Sequence, residues 1–247
     1  MEFRFFYHFG RFLLMLKGMF SRPENMRMYW KEFMKQCVDI GIGSLGIVVI
    51  ISTFLGAVTT VQTAYQLVSG FIPKSTIAMV VRDTMIIELA PTMICIVLGG
   101  VVGSKIASEL GNMRISEQID AQEIMGINTR AYLIGPKILA ALLTIPALVV
   151  IAAFLGIFGG LEAGKLSGIL SHEQFMEGLR SSFDGYNVFF ALSKSYTYAF
   201  IISSIPAYYG YHVQGGALEI GKASTTAVVV SCVMILFADY ALAAMLL

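Results

Sequence analysis

Long stretches without a charged side chain constrain this chain more than any other feature of its sequence. Residues 40–73, 138–161 and 195–218 contain no Asp, Glu, Lys or Arg, and residues 89–104 form a shorter run of the same kind. A transmembrane helix needs about 20 predominantly apolar residues. The chain is 57% hydrophobic and 13% charged, whereas soluble domains carry roughly 25% charged residues. We therefore expect an integral membrane protein.

The spacing of these runs predicts an all-α, polytopic fold with five transmembrane helices in one domain, 1–247. The predicted spans are 40–73, 82–107, 130–161, 187–212 and 223–246. Pro146 and Pro206 are expected to kink their helices, because proline removes a backbone hydrogen bond. Small residues recur every four positions in 99–111 and in 156–164, which permits close helix contacts within one subunit or between two.

The segment 1–22 has the pattern of an amphipathic helix in the membrane interface. Large apolar side chains recur at helical spacing, and basic side chains fall together on the other side. An amphipathic helix packed on a soluble partner is the alternative interpretation. Arg11 and Lys17 interrupt the apolar run and no small-residue cleavage site follows, so a signal peptide is not expected.

Lys and Arg are concentrated in 1–39 and 105–137 and are sparser in 162–194. The positive-inside rule therefore predicts a cytoplasmic N-terminus, and five spans then place the C-terminus in the periplasm. This topology puts the charged segment 108–127 in the cytoplasm. It puts 162–186, which is expected to form one or two short amphipathic helices, in the periplasm.

The charged segment 108–127 lies between the second and third predicted spans. Its charged side chains follow one another at three-residue spacing from Arg114 to Glu123, which places them near one stripe of a continuous helix. Such a stripe must face water or protein, so a coupling helix that docks on a cytoplasmic partner is predicted. The candidate contact residues are Glu109, Arg114, Glu117, Gln118, Asp120 and Glu123.

This segment resembles the signature of the MlaE/YrbE family of ABC-transporter permeases. The chain reads Ser-Glu-Leu-Gly-Asn-Met-Arg-Ile-Ser-Glu-Gln-Ile-Asp-Ala over 108–121, followed by Met125-Gly126 and Gly135-Pro136. Further matching positions lie at 88–91, 215–229 and 239–240. The resemblance covers nearly the whole chain beyond the N-terminal helix.

The resemblance implies a non-enzymatic, homodimeric permease subunit of an MCE-associated ABC transporter in the bacterial inner membrane. Such a transporter moves phospholipid between the inner membrane and a periplasmic MCE-domain carrier, toward or from the outer membrane. A separate cytoplasmic ABC ATPase would dock on the coupling helix and bind ATP and Mg²⁺, so no cofactor is expected in this chain. A small STAS-domain protein bound to the ATPase is a further partner to consider. The formal charge of +1 gives no indication of nucleic-acid binding.

Glu88 and Asp239 are the carboxylates placed inside or at the rim of predicted spans, and intramembrane acids are candidates for function. For both acids, a helix cap or a buried ion pair with Lys74, Arg82 or Lys194 is the alternative. The resemblance places Glu88 beside an outward-open lipid pocket. The predicted lipid-binding residues are Glu88, Tyr65, Leu67, Val68, Phe71 and Asp239.

The chain departs from the family at two positions near this pocket. Ile87 and Val101 stand where the family commonly has Arg. We therefore expect the preference for the lipid headgroup to differ.

Several other kinds of site are not expected. The segment 216–223 nearly matches a phosphate-binding loop, but Ala223 lacks the hydroxyl that binds Mg²⁺, so a tight Gly-rich turn is predicted. Cys37, Cys95 and Cys232 have no spacing typical of zinc sites or disulfide frameworks. Two other functions stay open on sequence grounds, namely an ion-coupled lipid carrier that uses Glu88 and Asp239, and a membrane scaffold that recruits a cytoplasmic protein.

Overall fold

A computed structural model of the chain describes residues 2–19, 26–67 and 73–246, with side chains from residue 6 onward. Almost all of these residues are helical, and no strand occurs among them. The α-helices are α1 (Glu2–Met19), α2 (Met26–Cys37), α3 (Gly43–Gln66), α4 (Ser75–Thr84), α5 (Ile94–Ile115), α6 (Gln118–Ile124), α7 (Gly135–Leu166), α8 (His172–Arg180), α9 (Tyr186–Tyr211) and α10 (Ala217–Leu246).

Three π-helical segments join or extend these helices, so that the longest helical stretches exceed a single α-helix. They are Val38–Ile42, Met85–Met93 and Arg130–Ile134. Among the described residues, five stretches are long and apolar enough to cross a membrane: Met26–Gln66, Ser75–Ile115, Arg130–Leu166, Tyr186–Tyr211 and Ala217–Leu246. The prediction of an all-α fold with five spans is confirmed.

The helices do not begin and end at the bounds of the predicted spans. The first helical stretch begins at Met26, because the charged residues of α2 continue the helix beyond its apolar part. The segment 216–223 is not the predicted turn, since α10 begins at Ala217, two residues after Gly215, whose φ is +117°. Charge marks where an apolar run stops, whereas a helix ends where its backbone hydrogen bonds end.

The chain forms two compact units. The first unit consists of Met1–Gly43, Leu98–Thr144 and Ala199–Ile235. Here α5 and α9 touch through small residues: a Cβ added to Gly210 would lie 2.5 Å from the carbonyl oxygen of Ala107. In the same unit, His8 Nδ1 of α1 lies 2.8 Å from the Tyr208 hydroxyl of α9. The small residues predicted to permit close packing therefore do so within one chain.

The second unit consists of Ser44–Val97, Ile145–Tyr198 and Leu236–Leu247. Its α3 and α7 cross at Gly56 and Gly156, where a Cβ on Gly56 would lie 1.7 Å from the carbonyl oxygen of Gly156. The short helix α8 begins with a capping box at Ser171 and buries Phe175 in an apolar core.

Candidate functional site

An ion cluster, made of Lys194, Glu88 and Asp239, lies in the second unit. The Lys194 ammonium group is 2.6 Å from Glu88 Oε2 and 2.5 Å from Asp239 Oδ1. It also donates a hydrogen bond of 3.3 Å to the carbonyl oxygen of Ile87. All three charged residues belong to candidate membrane spans, where a charge is costly unless it is paired. Their mutual pairing explains how the spans accommodate them.

Three helical segments supply the ion cluster. Lys194 is on α9, Asp239 is on α10, and Glu88 belongs to the π-helical segment Met85–Met93. Pro91 in that segment has no N–H group, and in a regular α-helix its ring would collide with the carbonyl group four residues earlier. A wider π-helical turn relieves this collision, and such turns occur frequently at functional sites.

Two hydroxyl groups complete the ion cluster. Thr92 Oγ1 donates to Glu88 Oε1 at 3.0 Å, and the Tyr198 hydroxyl donates to Asp239 Oδ1 at 2.7 Å. Sequence reasoning missed both residues. Thr92 follows Glu88 by four positions, and Tyr198 follows Lys194 by four. Residues four positions apart are neighbours on a helix, so a search for polar residues at this spacing from each charge would have found both.

The ion cluster has two carboxylates for one ammonium group and therefore one surplus negative charge. Lys194 is 0% exposed, whereas the side chain of Glu88 is 45% exposed. The surplus charge is therefore accessible at Glu88, whose carboxylate can accept a hydrogen bond from an amine or hydroxyl group of a ligand. Ile87, directly before Glu88, contributes no positive charge that would compete with such a donor.

The predicted partners of Asp239 can now be distinguished. Arg82 pairs with Asp83 at 2.8 Å and donates to the carbonyl oxygens of Leu179 and Ser181. It therefore anchors the end of α8. The ion-pair alternative for Asp239 is what the structure shows, with Lys194 as the partner.

Of the other predicted lipid-binding residues, Tyr65 and Leu67 have contacts outside the ion cluster. Tyr65 lines a groove of about 530 Å³ between α3 and Ala163, and neither Glu88 nor Asp239 is part of that lining. Leu67 packs against the apolar core around α4 and α8. The predictions for Val68 and Phe71 fall outside the described residues.

The coupling segment, residues 108–127, differs from its prediction. It is not one continuous helix: α5 ends at Ile115, Glu117 has the left-handed φ of +58°, and α6 begins at Gln118. The ion pair between Arg114 Nη1 and Asp120 Oδ1, at 2.7 Å, spans this break. The three-residue charge spacing therefore does not form one stripe, because the helical path is interrupted inside it.

Most charged members of the predicted docking set are engaged within the first unit. Glu109 Oε2 accepts a hydrogen bond of 2.6 Å from Lys137, and Arg114 pairs with Asp120. Glu123 Oε1 accepts a hydrogen bond of 2.8 Å from the Tyr211 hydroxyl. These contacts hold the shape of the coupling segment and leave less charge for a partner than the sequence predicts.

A network of three side chains attaches the end of α6 to α9. The Tyr211 hydroxyl lies 2.7 Å from Thr129 Oγ1, and Thr129 Oγ1 donates to Glu123 Oε1 at 3.0 Å. The hydrogen bond from Tyr211 has the largest influence on the pKa of Glu123 and lowers it. Thr129 and the nearby charges of Arg114 and Arg130 lower this pKa further, whereas burial raises it. Glu123 is thereby held as a carboxylate.

The exposed tip of the coupling segment is partly apolar. Glu117 and Gln118 are exposed, as predicted for contact residues. Ile124 is 88% exposed and Met125 is also exposed. Sequence reasoning missed these two residues, although two large apolar side chains directly after a charged segment were a usable signal for a docking surface.

Comparison with known proteins identifies a permease family that the chain resembles over most of its length. The profile of the MlaE permease family matches residues 33–245. A probable ABC transporter permease protein of Rickettsia bellii is 35% identical over 213 residues, which cover 86% of this chain and 82% of the relative.

Two further relatives come from more distant organisms. The chloroplastic protein TRIGALACTOSYLDIACYLGLYCEROL 1 of Arabidopsis thaliana is 31% identical over 216 residues, which cover 87% of this chain and 61% of the relative. The intermembrane phospholipid transport system permease protein MlaE of Haemophilus influenzae is 25% identical over 243 residues, which cover 98% of this chain and 93% of the relative.

Proposed function

Because the chain belongs to the MlaE permease family, we propose that it moves phospholipid between the inner membrane and a periplasmic MCE-domain carrier, toward or from the outer membrane. Family membership makes it a multi-pass inner-membrane permease of the ABC-transporter type, acting in lipid transport. The name of the Haemophilus relative, which refers to intermembrane phospholipid transport, supports phospholipid as the substrate. The chain acts as a homodimer, with its N-terminus in the cytoplasm and its C-terminus in the periplasm.

The ion cluster is the observation that carries the substrate proposal. It offers a partly exposed carboxylate, Glu88, that is held in place by the buried Lys194 inside candidate spans. By the proposed topology this carboxylate faces the periplasmic half of the bilayer. A phospholipid headgroup with an amine or a hydroxyl can donate to it. The groove at Tyr65, in the same unit, supplies apolar surface for an acyl chain.

The coupling segment is proposed to receive a separate cytoplasmic ABC ATPase, which binds ATP and Mg²⁺. The predicted contact residues then divide into two roles. Glu117 and Gln118, together with Ile124 and Met125, form the contact surface. Glu109, Arg114, Asp120 and Glu123 are positioning residues that act through their contacts within the chain. Coupling requires that these contacts differ between two states of the complex.

The substrate proposal is tested with Glu88→Gln in the complex purified from its native membrane. We expect ATP-dependent transfer of phospholipid to the periplasmic carrier to fall about tenfold, since one charge-assisted hydrogen bond of roughly 1.5 kcal/mol is lost. Assembly with the ATPase should be unchanged. The matched control is Glu162→Gln, which removes an exposed acid that pairs with Lys165 in the same unit. Equal transfer by Glu88→Gln and the control would place the headgroup elsewhere.

The ion cluster also gives a specific reason to test an ion-coupled lipid carrier. Two acids and one Lys inside candidate spans resemble the proton and ion pathways of secondary transporters. Transfer that persists without ATP and stops with a protonophore would favour that function. Transfer that needs ATP and survives the protonophore supports the ABC permease, and no transfer in either condition would favour a scaffold.

A further inference from the structure

An apolar cavity, called here the α2–α7 cavity, lies in the first unit between the end of α1, α2 and the start of α7. Its volume is about 490 Å³, and its lining includes Met19, Trp30, Phe33, Leu139 and Leu143. None of its described lining residues is charged. All three residues of the ion cluster belong to the second unit, so the cavity is not part of the proposed transport site.

Several side chains that line this cavity are exposed on the outside of the protein. Leu139 and Leu143 lie on a candidate span and are more than half exposed, and Trp30 is 65% exposed. If the cavity were empty, the side chains that line it would lose dispersion contacts. With roughly 30 Å³ for each methylene group, about the volume of a water molecule in the liquid, the cavity has room for on the order of fifteen such groups. That is close to one acyl chain.

Basic side chains accompany the apolar lining. Lys31 follows Trp30, Arg130 precedes the lining residue Ala131, and Lys17 lies two positions before Met19. Lys17, Lys31 and Arg130 are all exposed. An apolar cavity with a Trp in its lining and basic side chains nearby has the composition of a site for an anionic lipid at the membrane interface.

We propose that the α2–α7 cavity binds one acyl chain of an anionic phospholipid from the surrounding bilayer. Lys17 and Lys31 hold its phosphate group. Lipid tails are as apolar as the cavity, so the tail alone gives little preference for one lipid, and selectivity comes from the basic side chains. The bound lipid braces α2 against α7 and is separate from the lipid that is transported. The proposal depends only on the membrane location of the chain.

The chain has a single tryptophan, and Trp30 lines this cavity, which permits a direct test. The purified protein is placed in vesicles of ordinary phosphatidylcholine that contain increasing fractions of a lipid brominated on its acyl chains. We expect brominated phosphatidylglycerol to quench Trp30 fluorescence in a saturating manner at a low fraction. Brominated phosphatidylcholine should need a higher fraction. Lys31→Gln should raise the half-saturating fraction of phosphatidylglycerol roughly fivefold.

A cavity-filling variant supplies the control for location. Leu139→Phe combined with Leu143→Phe should abolish the saturating component, whereas Ala147→Phe combined with Val150→Phe, on exposed positions of α7 outside the lining, should retain it. Lys31→Gln alters an exposed residue and tests the proposal even where a filling variant fails to fold. Quenching that rises linearly and equally with both lipids would show general bilayer contact only. Absence of quenching by either lipid would show that protein covers the cavity. Either result overturns the proposal.

Discussion

Lys194 and Glu88 belong to the same ion cluster but differ sharply in burial. Lys194 is fully buried between two carboxylates, whereas Glu88 is partly exposed. Removing the central cation leaves two acids facing each other, while removing the exposed acid leaves a balanced pair of Lys194 and Asp239. The burial of each group therefore predicts unequal costs for its removal.

Lys194→Met is expected to destabilise the folded protein by about 3 kcal/mol, because it leaves two carboxylates of candidate spans without their cation. Glu88→Gln should cost at most about 1 kcal/mol, since that acid is partly exposed. The measurement is the thermal unfolding midpoint of the detergent-purified variants. Adding Glu88→Gln and Asp239→Asn to Lys194→Met should recover part of the loss. Equal midpoints for the two single variants would contradict this ranking.

The lowered pKa values of His212 and Glu123 predict that the stability of the folded protein falls in two separate steps on acidification. Burial lowers the pKa of His212 below its ordinary 6.5, reinforced by Arg11, Arg130 and Arg114 and opposed by its hydrogen bond to the Tyr208 carbonyl. The unfolded chain then binds the proton more readily, so this contribution is complete above pH 6.5 and is lost as the pH falls through the lowered value. The lowered pKa of Glu123 acts in the same direction, but only below its ordinary 4.5.

The two steps are separated by measuring the thermal midpoint from pH 8 to pH 4 for the natural protein and for His212→Gln. The variant should lose the decline that begins near pH 6.5 and keep the decline below 4.5. An unchanged decline near pH 6.5 in His212→Gln would assign it to another group.

At this scale, the sequence shows which acids lie inside apolar runs but not how they pair. Glu88 and Asp239 stand out because acids are rare in apolar runs. Their shared partner, Lys194, is far from both in sequence, and three plausible cations were available for Asp239. Only the arrangement of α9 and α10 around the segment Met85–Met93 decides among them.

At the scale of helices, the crossing of α3 and α7 depends on glycine. A Cβ on Gly56 would lie 1.7 Å from a backbone oxygen of α7, and backbone cannot move aside as a flexible side chain can. Gly56→Ala is therefore expected to destabilise by about 1–3 kcal/mol. Gly46→Ala, on the same helix with no atom within 4 Å of the added Cβ, should be neutral or stabilising by up to about 1 kcal/mol. Similar thermal unfolding midpoints for the two variants would show that α3 and α7 can move apart at their crossing without loss of stability.

The break in the coupling segment gives a second prediction at this scale. Glu117 adopts a left-handed conformation that costs a non-glycine residue roughly 1–2 kcal/mol. Glu117→Gly should therefore raise stability by up to about 1 kcal/mol, whereas Ala121→Gly, in the middle of α6, should lower it by roughly 0.5–1 kcal/mol. Thermal midpoints of the two variants decide this. A loss of stability in Glu117→Gly would show that its side chain matters more than its backbone.

This break also shows why the helices were predicted better than the turns between them. Long apolar runs give strong evidence for spans, and all five spans are present. Nothing in the composition of 108–127 marks Glu117 as left-handed, because the conformation is accompanied by the Arg114–Asp120 pair across the break and by the attachment of Glu123 to α9. Those are contacts between residues, and helical spacing alone does not reveal them.

For the molecule as a whole, orientation in the membrane decides what each site can meet. The coupling segment can receive a cytoplasmic ATPase, and the ion cluster can exchange lipid with a periplasmic carrier, only if the N-terminus is in the cytoplasm. The positive-inside rule predicts that orientation from the Lys and Arg of 1–39 and 105–137. The proposed transport mechanism therefore depends on a property that can be measured independently.

Leu166 and Ile124 provide a matched pair for that measurement, because each is 88% exposed, Leu166 is the last residue of α7 and Ile124 precedes the start of α7. In a background with Cys37, Cys95 and Cys232 replaced by Ala, a membrane-impermeant maleimide should label Leu166→Cys in intact spheroplasts. Ile124→Cys should be labelled only after permeabilisation. Since their exposure is equal, a difference in labelling reports the side of the membrane. The reverse pattern would place the coupling segment outside and exclude ATPase docking there, whereas protection of Ile124→Cys by the bound ATPase would locate the contact at the exposed tip.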